Sequence, residues 1–122
     1  MIYDNLPIYR AALDLCVYIE TIVKSFDKYH KYTIGEDLRN HSKKVLFLIH
    51  KANVSKENRI QMLELLRDRC EETKMLLALG KELKAFKSFK QFEYSSKLSV
   101  AVCRQSQAWL QNSMKYLARV SV

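Results

Sequence analysis

Residues 29–46 read YHKYTIGEDLRNHSKKVL, and the role assigned to their one glycine decides the fold. A phosphate-cradling loop, a metal site and the start of a helix all compete for this segment. Thr33 and Glu36 stand at the T-x-x-E spacing of a capping box, where each side chain satisfies an amide the helix end leaves open. Asp37 adds a negative charge at the positive end of the helix dipole. Ile34, Leu38, His41, Val45, Leu48 and Ala52 follow at alternating steps of four and three, forming one stripe aimed at a core. Gly35 therefore falls in the first turn of a helix, and the segment is no glycine-rich phosphate loop. Asn53 is suited to ending this helix in a left-handed conformation.

The neighbouring segments carry similar punctuation. Pro7 suits the first turn of an earlier helix, because the amide it lacks would be unpaired there anyway. Ile8, Ala12, Leu15, Ile19 and Ile22 recur behind it at helical spacing, and SFDKYHKY breaks the pattern. Ser55 caps a third helix, with Met62, Leu66, Cys70, Thr73, Leu77 and Gly80 on its inner side. FKSF interrupts it, and Ser88 with Gln91 forms a second capping box opening a fourth helix, from about Phe89 to Leu117. Two glycines and one proline are too few for the turns of a many-stranded sheet. Short connections make successive helices antiparallel neighbours. The expected fold is all-α, an antiparallel up-down-up-down four-helix bundle in a single domain over residues 1–122.

No stretch reaches about 18 consecutive apolar residues, so no membrane span is expected. MIYDNLPIYR has no basic region followed by an apolar run, so a secretory signal is not expected either. Cys16, Cys70 and Cys103 are odd in number, far apart and without CxxC spacing. They read as free thiols buried like small hydrophobes, in a cytoplasmic protein.

The net charge of +8 is unevenly distributed: residues 73–122 hold nine basic against two acidic side chains. That one-sidedness implies an anionic partner, nucleic acid first. On the fourth helix, Lys90, Lys97, Arg104, Lys115 and Arg119 fall within about 60° of one another and extend over about 44 Å. Only Glu93, at the edge, interrupts them. Such a stripe is either a solvated face or a track for a phosphate backbone, and the absence of mixed signs favours the track. Lys81, Lys84 and Lys87 precede it in the chain, and Lys43 and Lys44 add a second basic segment.

The opposite side of this helix carries Phe92, Ser96, Ser99, Cys103, Ser106, Leu110, Ser113 and Leu117 in a 4-3-4-3 seam. Its serines allow close backbone approach and can hydrogen-bond back to their own helix. Leu98, Val102, Trp109 and Tyr116 lie beside the seam, so the row is either a broad core face or a contact with another subunit.

Catalytic chemistry is scarce. The Glu-x-x-His motif of bundle metal sites is absent, and Asp37 with His41 offers only two ligands. There is neither a P-loop nor a dinucleotide fingerprint. No metal, cofactor or enzymatic activity is expected.

LPIYRAALDL, KYTIGEDLRNHSKKVLFLIHKAN and MLLALGKELKAFKSFKQFEYSSKLSVAVCRQSQAWL together resemble one four-helix-bundle family. That family includes the 23S ribosomal RNA intervening-sequence proteins and the accessory variability determinant (Avd) proteins of diversity-generating retroelements. The resemblance runs from about Leu6 to Leu117 and is most specific in the aromatic-Thr-hydrophobic-Gly-Glu-x-Leu-Arg run ending at Arg39, with Ala52–Asn53 and Trp109–Leu110. It implies a homo-oligomer, a pentameric ring of bundles, that binds RNA or DNA. In the retroelement branch it further implies a reverse transcriptase partner, whose mutagenic cDNA synthesis the protein supports without catalysing it. The intervening-sequence branch implies an interaction protein with no reverse transcriptase partner.

Overall fold

The computed structural model describes residues 6–120, and all regular structure among them is helical. Helix α1 spans Pro7–Val23, α2 Lys28–Lys31, α3 Ile34–Val54, α4 Arg59–Glu82 and α5 Phe89–Val120. The four long helices pack in a ring: α1 against α3, α3 against α4, α4 against α5 and α5 back against α1. The diagonal pairs α1–α4 and α3–α5 barely touch.

Pro7 occupies the first turn of α1 as expected, and Ile8, Ala12, Leu15, Ile19 and Ile22 are all buried. They meet Ile34, Leu38, Val45, Leu48, Ile49 and Ala52 of α3, and Leu63, Leu66, Cys70 and Leu77 of α4, in one core. From α5, Ser95, Ser99, Val102, Cys103, Ser106 and Leu110 face inward. Of the expected seam, Ser99, Cys103, Ser106 and Leu110 are buried, while Ser95 takes the inward place expected of Ser96, Ser113 is partly exposed and Leu117 is exposed. Ser95 donates to the carbonyls of Gln91 and Phe92 at 2.8 and 2.9 Å, and Ser106 to that of Cys103 at 3.0 Å. These buried hydroxyls are therefore satisfied without a partner helix. All three cysteines are free and buried.

Several expectations need correction. SFDKYHKY is not wholly irregular: Asp27 caps the single turn α2, accepting from the backbone N–H of His30 at 3.0 Å. This turn undoes the Thr33–Glu36 capping box. Tyr29 now presents a carbonyl to the Thr33 hydroxyl, which donates to it at 2.8 Å, while Glu36 pairs with Arg39. His41 is not a core residue. Its Nδ1 lies 3.0 Å from the Asp37 carbonyl and its Nε2 3.7 Å from Glu72, and Ser42 takes the buried position. On α4, Leu63 lies deeper than Met62.

Asn53 does not end α3 in a left-handed turn, because the helix runs on through Val54. Arg59 closes it instead, donating from Nε to the Ala52 carbonyl at 2.8 Å and from Nη2 to the Asn53 carbonyl at 2.9 Å. The guanidinium also lies 5.9 Å from the Trp109 ring centroid. Ser55 accepts from the Asn58 amide, in the turn that leads into α4 rather than at its cap. The Ser88 box forms with one shift: Ser88 accepts from the Gln91 amide, while the Gln91 side chain accepts from Lys87 rather than Ser88.

Candidate nucleic-acid interface

Helix α5 places its buried row and its basic row on opposite sides, as the 3.6-residue period requires. Lys90, Lys97, Arg104, Lys115 and Arg119 are all exposed, and among the described residues none of the five forms an ion pair. Elsewhere some cations pair and others, such as Lys24, Lys51 and Lys56, likewise form no ion pair among the described residues. Arg10 is bound to Asp14 at 3.0 Å, Lys74 to Glu71 at 2.9 Å, and Arg39 to both Glu20 and Glu36. The spacing from Lys90 to Lys97 and on to Arg104 is about 10 Å per step along the helix. That is close to the screening length at physiological salt, so their fields reinforce one another at low salt and separate as salt rises. Ala108 and Gln111 fill the wider gap before Lys115.

Lys81, Lys84 and Lys87 lie at the end of α4 and in the connection to α5, where they lead into Lys90. Lys81 holds its Nζ 4.9 Å from the Phe92 ring centroid. Lys84 has φ 60°, the left-handed region in which glycine is usual. Its amide bonds to Lys81 and the next amide, Ala85, to Gly80, so the turn is a Schellman motif with lysine at the glycine position. Lys43 and Lys44 do not join this surface. They sit on α3, diagonal to α5, with Lys43 3.5 Å from Glu20 and Lys44 lining a cleft that Asp68 and Glu72 also line.

The row Leu98, Val102, Trp109 and Tyr116 divides. Val102 is 1% exposed and belongs to the core, which removes it from any subunit contact. Leu98 and Trp109 are partly buried against the core, and Tyr116 is exposed. After Leu110 the helix carries no fully buried residue, and Met114, Tyr116, Leu117 and Val120 are exposed on it. Two clefts flank this extension. One of about 410 Å³ is lined by Lys56, Arg59, Ile60, Asn112, Ser113 and Tyr116, and one of about 330 Å³ by Leu6, Pro7, Ile8 and Trp109.

Other chemistry is sparse here too. Among the described residues no three histidines, cysteines or carboxylates stand together as metal ligands. No described helix is long and apolar enough to cross a membrane. Cys70 and Cys103 face each other between α4 and α5. Hydrogen bonding to Cys103 and burial push the Cys70 thiol up, and the bond from Cys70 lowers Cys103. Burial likewise pushes Cys16 up, with its thiol 3.1 Å from the Ser42 carbonyl.

The reading from sequence overlooked the exposed aromatic residues at the end where α2 and the α4–α5 connection lie. Tyr29, Tyr32 and Phe89 are exposed there, and DKYHKY and FKSFK interleave them with lysines. That interleaving was the available signal. No protein-family model and no curated protein matches the chain.

Proposed function

We propose that the chain is a non-catalytic nucleic-acid-binding subunit, the accessory variability determinant of a diversity-generating retroelement. In this reading it acts as a homo-oligomer, in the cytoplasm, and supports mutagenic cDNA synthesis by a reverse transcriptase. The observation that carries the reading is the row of five exposed, unpaired cations along one side of α5, opposite its buried side. The resemblance of KYTIGEDLRNHSKKVLFLIHKAN to that family supplies the partner and the process. The three buried free thiols fit a reducing compartment.

The arrangement we favour for the helices is up-down-up-down. Its support is that Val23, Phe26, Ile34, Gly35, Gly80 and Phe86 gather at one end, and Ala52, Arg59 and Trp109 at the other. Subunit contact is assigned to Leu98, Trp109 and Tyr116, together with the exposed apolar residues beyond Leu110. A pentameric ring is the assembly the resemblance implies.

Titration of labelled RNA and DNA at several salt concentrations tests the reading. Affinity is expected to fall steeply with salt, and Lys97→Ala with Arg104→Ala to lower the log–log slope by roughly 1.4 on a single strand. Helicity by circular dichroism should stay unchanged. Salt-insensitive binding, or none at low salt, refutes it. The other reading, an intervening-sequence-type interaction protein, is favoured by adjacent genes that lack a reverse transcriptase and a template/variable repeat pair.

A further inference from the structure

Resting on the nucleic-acid reading, we infer that the end of the bundle formed by α2 and the α4–α5 connection is a stacking platform for single-stranded nucleic acid. Two connections converge there. Phe26, just after α1, packs edge-on against Phe86 at 5.4 Å between centroids, and Phe86 packs against Phe92 at 5.8 Å. Asp27 feels the charge of Lys87 across the gap between the connections. This aromatic column, with Phe26 buried and Phe86 and Phe92 partly buried, holds the two segments together as one surface.

Outside the column, Tyr29 is 73% exposed, Tyr32 65% and Phe89 64%. Phe89 lies 5.8 Å from the Phe92 ring and Tyr29 5.5 Å from the His30 ring between centroids, contacts that hold two of the rings while most of each stays open. Lys28, Lys84, Lys87 and Lys90 stand among them, all exposed. Nearby Asp27 is engaged by the amide and the ring of His30, at 3.0 and 2.9 Å.

Lysine in a left-handed conformation at residue 84 is a local cost that glycine would avoid, and a position that breaks a local rule is where a functional requirement is expected. Rings with interleaved cations match the two attractions a single strand offers, the open faces of its bases and its phosphates. A duplex keeps its bases stacked on one another and can use only the cations. Along the α5 stripe Tyr94 and Tyr116, 48% and 67% exposed, stand near the two ends, and between Lys97 and Lys115 the only ring is the partly buried Trp109, so this central run of cations makes no such distinction. The platform therefore selects the strand, and the stripe supplies charge to either form.

The test compares an unstructured pyrimidine oligonucleotide of roughly a dozen nucleotides with the duplex of the same strand, by fluorescence anisotropy. Tyr29→Ala, Tyr32→Ala and Phe89→Ala combined should weaken single-strand binding at least tenfold, with less than twofold effect on the duplex and the same salt slope. The ring-preserving set Tyr29→Phe, Tyr32→Phe and Phe89→Tyr should bind like the wild type, which separates stacking from a folding defect. Equal losses on both probes, or no loss on the single strand, overturn the platform while leaving the basic-stripe reading intact. Failure of the wild type to bind either probe at low salt overturns both.

Discussion

An alanine at residue 35 would set its Cβ 2.8 Å from Val23 Cγ1 and 2.9 Å from the His30 carbonyl oxygen. One of those neighbours is backbone and cannot move aside, so Gly35→Ala should cost about 1–3 kcal/mol in urea unfolding, despite the better helix propensity of alanine. Gly80→Ala meets only the Phe86 ring, at 3.1 Å, and should cost less. Arg59→Ala leaves two α3 carbonyls without their charged donor and should lower stability by about 1.5–3 kcal/mol. Arg59→Lys should not restore it, since one ammonium cannot reproduce the planar fork that reaches both carbonyls.

Asp27 has its carboxyl pushed below 3.8 by the backbone N–H of His30 and then by the His30 side chain. A lowered carboxylate stabilises the fold above its unfolded value and loses that contribution as pH falls through the folded one. The stability gap between wild type and Asp27→Ala should accordingly be full near neutrality and narrow below about pH 4 in chemical denaturation.

At the scale of elements, α5 has two zones. From Ser95 to Leu110 its inner side is covered by α1 and α4, and beyond Leu110 no residue is fully buried. Amide exchange should therefore be faster over residues 114–118 than over 99–106, because helix without tertiary cover opens by local fraying. The end of α4 offers a second check. Lys84→Gly removes the strain of a left-handed lysine while keeping the Schellman bonds, so the unfolding midpoint should rise by an equivalent of about 1 kcal/mol. A simultaneous fall in nucleic-acid affinity would fit the cation at this position having been kept for binding.

For the whole molecule, the extension of α5 bears on assembly. Met114, Tyr116, Leu117 and Val120 expose apolar surface there, and Tyr116 and Leu117 line one of the clefts. Tyr116→Glu with Val120→Glu, one turn apart on the same side of α5, should lower the mass measured by light scattering without loss of helicity, and an unchanged mass would remove this surface from the interface. Trp109 is a poorer probe, because it packs against the core with Arg59 5.9 Å from its ring, and its loss would also disturb the fold.

The four long helices, the basic side of α5 and most of the core were legible in the chain. The spacing of Ile8 to Ile22 and of Ser99 to Leu110 leaves only one way to bury those residues, and the same periodicity sends Lys90 to Arg119 to the opposite side. Periodicity is a local property, which is why sequence determined it. Tertiary structure decided what depended on contacts between distant residues. A one-turn helix before Thr33 took over its hydroxyl, Arg59 rather than Asn53 closed α3, and Ser42 rather than His41 filled the core. The same reason applies to Val102, whose position beside the seam was clear from spacing, while its burial depended on how widely α1 and α4 cover α5. The gathering of Tyr29, Tyr32 and Phe89 at one end likewise arose from two connections far apart in the chain meeting across Phe26 and Phe86.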